Sequence, residues 1–171
     1  PDGHSGWTSH LAGLRRRASR LTKLGLRELH VRDRGTDLRL RLVPESMWRG
    51  GGEQTAWGHR IAMNVPTEEC FVSPDAAATD GTFHCSRPRH FGGRMIEELS
   101  GEFRGGRLVR LYAKGKADRE FLAGFLFSID NADRLGEVAL VDSSSRIGRA
   151  GRIYYNTLLD ENAAAHIAFG S

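Results

Sequence analysis

Leu29-His30-Val31-Arg32-Asp33-Arg34-Gly35-Thr36-Asp37-Leu38-Arg39-Leu40-Arg41-Leu42 alternates apolar and polar residues on both sides of an Arg34-Gly35 turn. A two-residue period puts every second side chain on one face. Leu38, Leu40 and Leu42 therefore predict a strand with one dry face, and Leu29 with Val31 a shorter partner. The signature returns downstream, where Glu102-Phe103-Arg104 and residues 108–113 flank Gly105-Gly106, a hairpin turn pair. Ile61, Met63 and Val65 continue the β pattern until Pro66 ends it, and Gly50-Gly51-Gly52 forms a flexible corner. Two more apolar strands are predicted near 136–142 and 152–158.

Helical spacing is confined to fewer places. Trp7, Leu11, Leu14, Ala18 and Leu21 recur at steps of four and three, predicting a leading helix within residues 1–24 that stops at Gly25. Arg15, Arg16 and Arg20 fall on its wet side. Residues 117–130 predict a second helix, with Phe121, Leu122, Phe125, Leu126 and Ile129 on one side and a weakening Gly124 inside. After Asp160-Glu161-Asn162 an Ala-rich turn or helix is expected up to Gly170. The sum is an α+β chain: a hairpin-rich, mostly antiparallel sheet with two or three helices.

The 171 residues suit one domain, 1–171, with a core of its own or with an appended element. A start at Pro1 rather than Met fits a chain that is processed or cut from something longer. No apolar run reaches the ~20 residues that cross a bilayer, so no membrane partner is expected. The net charge of +4 comes mostly from arginines scattered among acids, without the block of like charge that marks a nucleic-acid site. No nucleic-acid partner is expected. Cys70 and Cys85 lack metal-ligand spacing and predict two buried, reduced thiols in a cytoplasmic chain.

Four places could bear chemistry. Glu68 and Glu69 follow a β stretch and precede Phe71 and Val72, a costly setting for charge unless a cation compensates. Their structural alternative is a turn or helix start capped by Thr67. Glu137 stands in Leu135-Gly136-Glu137-Val138-Ala139-Leu140-Val141, where every neighbour but glycine is apolar. It predicts either a metal ligand or a buried ion pair with an arginine. Glu161 and His166 lie among alanines, five residues apart and so not on one helical face. A cap at Asp160 with a core His166 is their alternative. As a set, carboxylates and imidazole suit Zn²⁺ or similar ions, and two such ions activate a water in hydrolysis.

Several stretches, in order, resemble the dimetal aminopeptidase family of the aminopeptidase T, aminopeptidase S and PepS type. They are Gly35-Thr36-Asp37-Leu38, Trp48-Arg49-Gly50-Gly51-Gly52, Asn64-Val65-Pro66-Thr67-Glu68-Glu69, Ser73-Pro74-Asp75, the strand around Glu137, and Asn156-Thr157-Leu158-Leu159-Asp160-Glu161-Asn162-Ala163 running on to His166. The resemblance implies an exopeptidase that uses two divalent ions (Zn, Co, Mn or Mg) and acts on peptide N-termini. It implies Glu69, Glu137 and His166 as metal ligands, and Glu161 as a further ligand or a close neighbour. It implies Glu68 as general base or holder of the substrate amine. The pattern does not decide between Glu68 and Glu69 as the ligand, and Glu69 is favoured.

Complete members of the family also carry a preceding α/β domain, a later catalytic Tyr and a His-x-Asp pair, and they form homodimers. No His-x-Asp occurs here. The resemblance thus implies a truncated catalytic region with weak or no metal binding and no peptidase activity on its own. The alternative is a naturally short, non-catalytic binding or assembly module on the same scaffold.

Overall fold

In the computed structural model, which describes residues 3–62 and 64–170, the Leu38 hairpin is the first piece of a five-stranded antiparallel sheet. β1 (Glu28–Asp33) pairs with β2 (Thr36–Leu42) around the Arg34-Gly35 turn, and Leu38, Leu40 and Leu42 are all buried. β3 (Glu53–Gln54) and β4 (Arg60–Ile61) form a short exposed ribbon. The predicted strand through Val65 does not form beyond it: Val65 is exposed, and Met63 lies outside the described residues. β5 (Glu69–Val72) follows, then β6 (Pro74–His84), the ribbon β7 (Arg89–Phe91) and β8 (Arg94–Ile96), and the hairpin β9 (Ser100–Arg104) with β10 (Arg107–Tyr112). The large sheet has the order β1-β2-β6-β9-β10.

Its middle strand, β6, carries no strand signature in the sequence. Pro74-Asp75-Ala76-Ala77-Ala78-Thr79-Asp80-Gly81 is rich in residue types that strands avoid. Close approach explains the composition. The Gly105-Gly106 turn rests on this strand, with Gly106 N–H donating to the Thr79 carbonyl at 2.9 Å and Gly105 N–H to Asp80 Oδ1 at 2.8 Å. A Cβ on Gly106, whose φ is +78°, would fall 2.1 Å from the Ala76 carbonyl oxygen.

The helices occupy the ends of the chain and one face. α1 (Gly3–Lys23) buries Leu14 and Ala18, and its C-terminus turns at Gly25 as expected. Arg15 is not on a wet face, however, because its Nη1 donates to the Gly51 carbonyl at 2.6 Å. α2 (Lys116–Ser128) buries Leu122 and Leu126, while Phe125 packs edgewise and Phe121 tilted on Phe91 of β7. β11 (Leu135–Val141) forms as predicted. The strand expected near 152–158 does not: Ile153, Tyr154 and Tyr155 sit in an exposed loop between α3 (Arg146–Arg149) and α4 (Thr157–Glu161). The stretch expected to be an Ala-rich turn or helix up to Gly170 contains a strand, β12 (His166–Phe169).

A second sheet, of three strands in the order β12-β11-β5, packs against the first, with β11 crossing β6. Between them Phe103, fully buried, stacks on Phe169 at 5.6 Å and meets Phe83 at 5.8 Å. Burying side chains of this size contributes roughly 2–3 kcal/mol each. The fold is α+β, hairpin-rich and mostly antiparallel. Among the described residues no helix is long and apolar enough to cross a membrane.

The glycine turn supplies a test. Gly105, at φ +54°, has nothing within 4 Å of where a methyl would stand, so Gly105→Ala is expected to cost only the left-handed backbone penalty of about 1 kcal/mol. Gly106→Ala is expected to lose about 1–3 kcal/mol more by overpacking against β6. Urea denaturation of both variants checks this, and equal losses would refute the role given to the contact.

Candidate metal centre

The three-stranded sheet has two chemically opposite faces. Inward, Cys70, Val72, Val138, Ile167 and Phe169 join the apolar core. Outward are the residues between them, because side chains alternate along a strand and directly paired residues share a face. Glu69 is paired with Val141 and His166 with Ala139, so both stand on the outer face of β11. Glu137, two residues before Ala139, joins them. It does so through a bulge: the β11–β12 register shifts between Leu135 and Glu137, so Leu135 points into the core and Glu137 out of it. Re-aiming a side chain beside a site is a recurrent use of a bulge.

The three side chains converge. His166 Nε2 lies 3.1 Å from Glu69 Oε2 and 3.6 Å from Glu137 Oε1. One ligand atom from each residue falls within 4.8 Å of the others. Glu69 and His166 come from opposite sides of β11 and meet above Ala139, whose small, fully buried side chain leaves them room. Glu69 is 4% exposed and is the more deeply buried of the two acids in the cluster. Glu137, which the sequence singles out most sharply, is only half-buried, and its ion-pair partner among the described residues is His166 rather than an arginine.

The donor set fits a divalent cation. Glu69 Oε2 and His166 Nε2 are buried yet lack a hydrogen-bond partner, since their approach has distance without alignment. Buried polar atoms left this way are costly and call for a counterpart. His166 Nδ1 lies 3.0 Å from the Ala164 carbonyl, so an N–H there leaves Nε2 turned towards both carboxylates. Metal-binding imidazoles are held in this way through their other nitrogen. Burial alone pushes the His166 imidazole down, but the Glu137 and Glu69 carboxylates outweigh it and hold it up to about 10.

Glu161 and Glu68 stand beside this group, not in it. Glu161 ends α4, and its Oε2 lies 3.8 Å from Arg89 Nη2 of β7. Burial, reinforced by the Glu69 and Glu137 charges, raises its carboxyl above the usual range against the pull of His166 and Arg89. Glu68 turns towards α1, where its carboxylate is 4.0 Å from His10 Nε2. His10 Nε2 also bonds the Thr67 carbonyl at 2.7 Å, and no helix starts at Thr67. Asp160 does not cap α4: Asn156 does, its side chain accepting from Leu159 N–H. Cys70 faces α1, with Sγ against the Leu14 carbonyl, and burial raises its thiol. Cys85, also free, is only half-buried. Two residues that the sequence did not mark prove important to the arrangement. Ala139 gives the ligands space, and Asn162 is a fully buried amide next to Glu161.

Known proteins are similar in sequence and in fold. Aminopeptidase T of Thermus aquaticus is 38% identical over 170 residues, which are 99% of this chain and 41% of that protein. The solved structure of wild-type AmpT from Thermus thermophilus superposes with a TM-score of 0.91 at 36% identity, covering 97% of this chain and 41% of that one. The chain thus spans about two-fifths of the length of these relatives. The fold also occurs in 2,5-dihydroxypyridine dioxygenase of Pseudomonas putida KT2440, with a TM-score of 0.60 over 92% of this chain and 46% of that one, but at 12% identity that likeness concerns architecture alone. One metalloprotease family matches residues 1–171, and the chain belongs to that family, the thermophilic metalloproteases (M29).

Proposed function

We propose that this chain supplies part of the dimetal centre of an aminopeptidase, an enzyme that removes N-terminal residues from peptides. The observation that carries the reading is the buried convergence of Glu69, Glu137 and His166, two of whose ligand atoms have no hydrogen-bond partner. Glu69 and His166 would hold an ion from either side of β11. Glu137, more open than Glu69, would serve as a further ligand for such ions. We assign Glu161 as a further ligand, which would exchange the Arg89 guanidinium for a cation. Divalent ions bound here would activate a water and neutralise charge developing on the scissile carbonyl. The geometry supports Glu69 over Glu68 as the ligand of the pair. Glu68 remains our candidate for general base or amine holder on the resemblance alone, since its carboxylate faces His10.

The identity of the ions, among Zn, Co, Mn and Mg, follows from the donor types only to the extent that mixed carboxylate and imidazole sets suit Zn²⁺ best. The substrate is proposed to be the free amino end of a peptide. A cytoplasmic setting and homodimerisation belong to the same proposal. So do the absence of a nucleic-acid or membrane partner and the assignment of residues 1–171 to one metal-binding domain.

Two measurements test the reading. Titration calorimetry with Zn²⁺ or Mn²⁺ is expected to show at most weak binding, since the shell is partial, and Glu69→Gln, Glu137→Gln or His166→Ala is expected to abolish it. Unchanged affinity in all three would exclude the cluster as the site. For activity, the chain alone is expected to leave leucine amides intact. Grafted in place of the matching segment of Thermus thermophilus AmpT, it is expected to support metal-dependent hydrolysis that Glu137→Gln lowers about 100-fold or more. An ion-binding chain whose graft stays inactive would favour the non-catalytic binding module.

A further inference from the structure

Asn162 is fully buried, and its side-chain oxygen, its side-chain nitrogen and its main-chain carbonyl are each engaged. It follows Glu161 at the end of α4. Its Oδ1 accepts the Glu68 backbone N–H at 2.6 Å, 94 residues away in the chain. Its Nδ2 donates to the Leu158 carbonyl at 2.8 Å. Its own carbonyl accepts from Ser145 Oγ at 2.9 Å, and that hydroxyl in turn accepts the Gly148 N–H at 3.1 Å. The amide orientation is set by its neighbours, since Glu68 N–H needs an acceptor and the Leu158 carbonyl needs a donor. Only an amide of this length meets both demands.

The placement matters because β5 and β12 are not neighbours. They flank β11, and no backbone hydrogen bonds of the sheet join the strand carrying Glu69 directly to the strand carrying His166. Asn162 provides a link across that gap. One side holds the residue immediately before Glu69, and the other is the turn between Glu161 and His166.

We propose that Asn162 is a positioning residue of the metal centre, fixing the separation of Glu69 from His166 by clamping the entry of β5 to the α4–β12 turn. Resting on the dimetal reading, it assigns to a residue that touches no ion control over ion affinity.

The test uses the full chain and two readouts. In Asn162→Ala the Glu69 Oε2 to His166 Nε2 distance, taken from crystal structures of variant and parent, is expected to open beyond that of the parent. Zn²⁺ affinity by calorimetry is expected to fall 10–100-fold, the range for supporting groups behind metal ligands. Leu122→Ala is the control: it empties the separate small cluster around Ile96 and Ala113, so it lowers thermal stability while leaving Zn²⁺ affinity at the parent value. An unchanged Glu69–His166 distance in Asn162→Ala overturns the proposal, as does an affinity loss no greater than that of Leu122→Ala. Should the parent bind no Zn²⁺ by itself, as a partial ligand shell implies, the affinity comparison moves to the AmpT graft, where no metal binding ends the dimetal reading. In the chain itself the distance then decides whether Asn162 positions the pair. If Asn162→Ala does not fold, Ser145→Ala, which frees the Asn162 carbonyl, is expected to shift both readouts in the same direction by less.

Discussion

Two carboxylates and an imidazole meet above the side chain of Ala139, and that meeting constrains everything built around it. Like charges at this separation repel strongly once water is excluded. A protonated His166 offsets the charge of one acid, and a cation, as proposed, would offset the rest. The alternation of β5, β11 and β12 follows from it, each strand sending apolar residues into the core and ligands outward. The bulge at Gly136 follows too, because without it Glu137 would share the inward face of Leu135.

The core and the site are therefore two faces of one small sheet. Phe169, stacked on Phe103, anchors the strand that begins with His166. Cys70, seated against α1, anchors the strand that begins with Glu69. Packing is dense on the core side and fixes strand positions, while the outer side depends on polar links such as those of Asn162 and Ser145. Rigid apolar packing behind and a satisfied polar network in front is how sites hold side chains to fractions of an ångström.

Much of this was legible in residue patterns, and the exceptions have physical causes. The Leu38–Leu42 alternation, the leading helix and the Gly105-Gly106 hairpin all announce themselves because one face of each is dry. β6 does not, since its alanines and glycine answer to close backbone approach and not to strand propensity. β12 is too short for its alternation to show until β11 lies beside it, and Ile153 to Tyr155 are apolar without being buried. At the site, Glu137 was conspicuous through its neighbours, although Glu69 is the more buried acid. Asn162 and Ala139 act through what they hold or leave open, which no local spacing signals. Arg89, the partner of Glu161, arrives from a ribbon 72 positions earlier in the chain.

The ligands of the cluster sit at positions 69, 137 and 166, and the loops between them close only when the three-stranded sheet is complete. An unfolded chain offers no chelate, only separate weak donors. Any ion that binds here is thereby a ligand of the native state alone, and mass action makes conformational stability a function of its concentration. At 100 times the dissociation constant this linkage adds about 2.7 kcal/mol, comparable to what one large core side chain contributes. On the proposed reading, the register of β11 with its two neighbours would couple the folding equilibrium of the chain to the metal content of its surroundings.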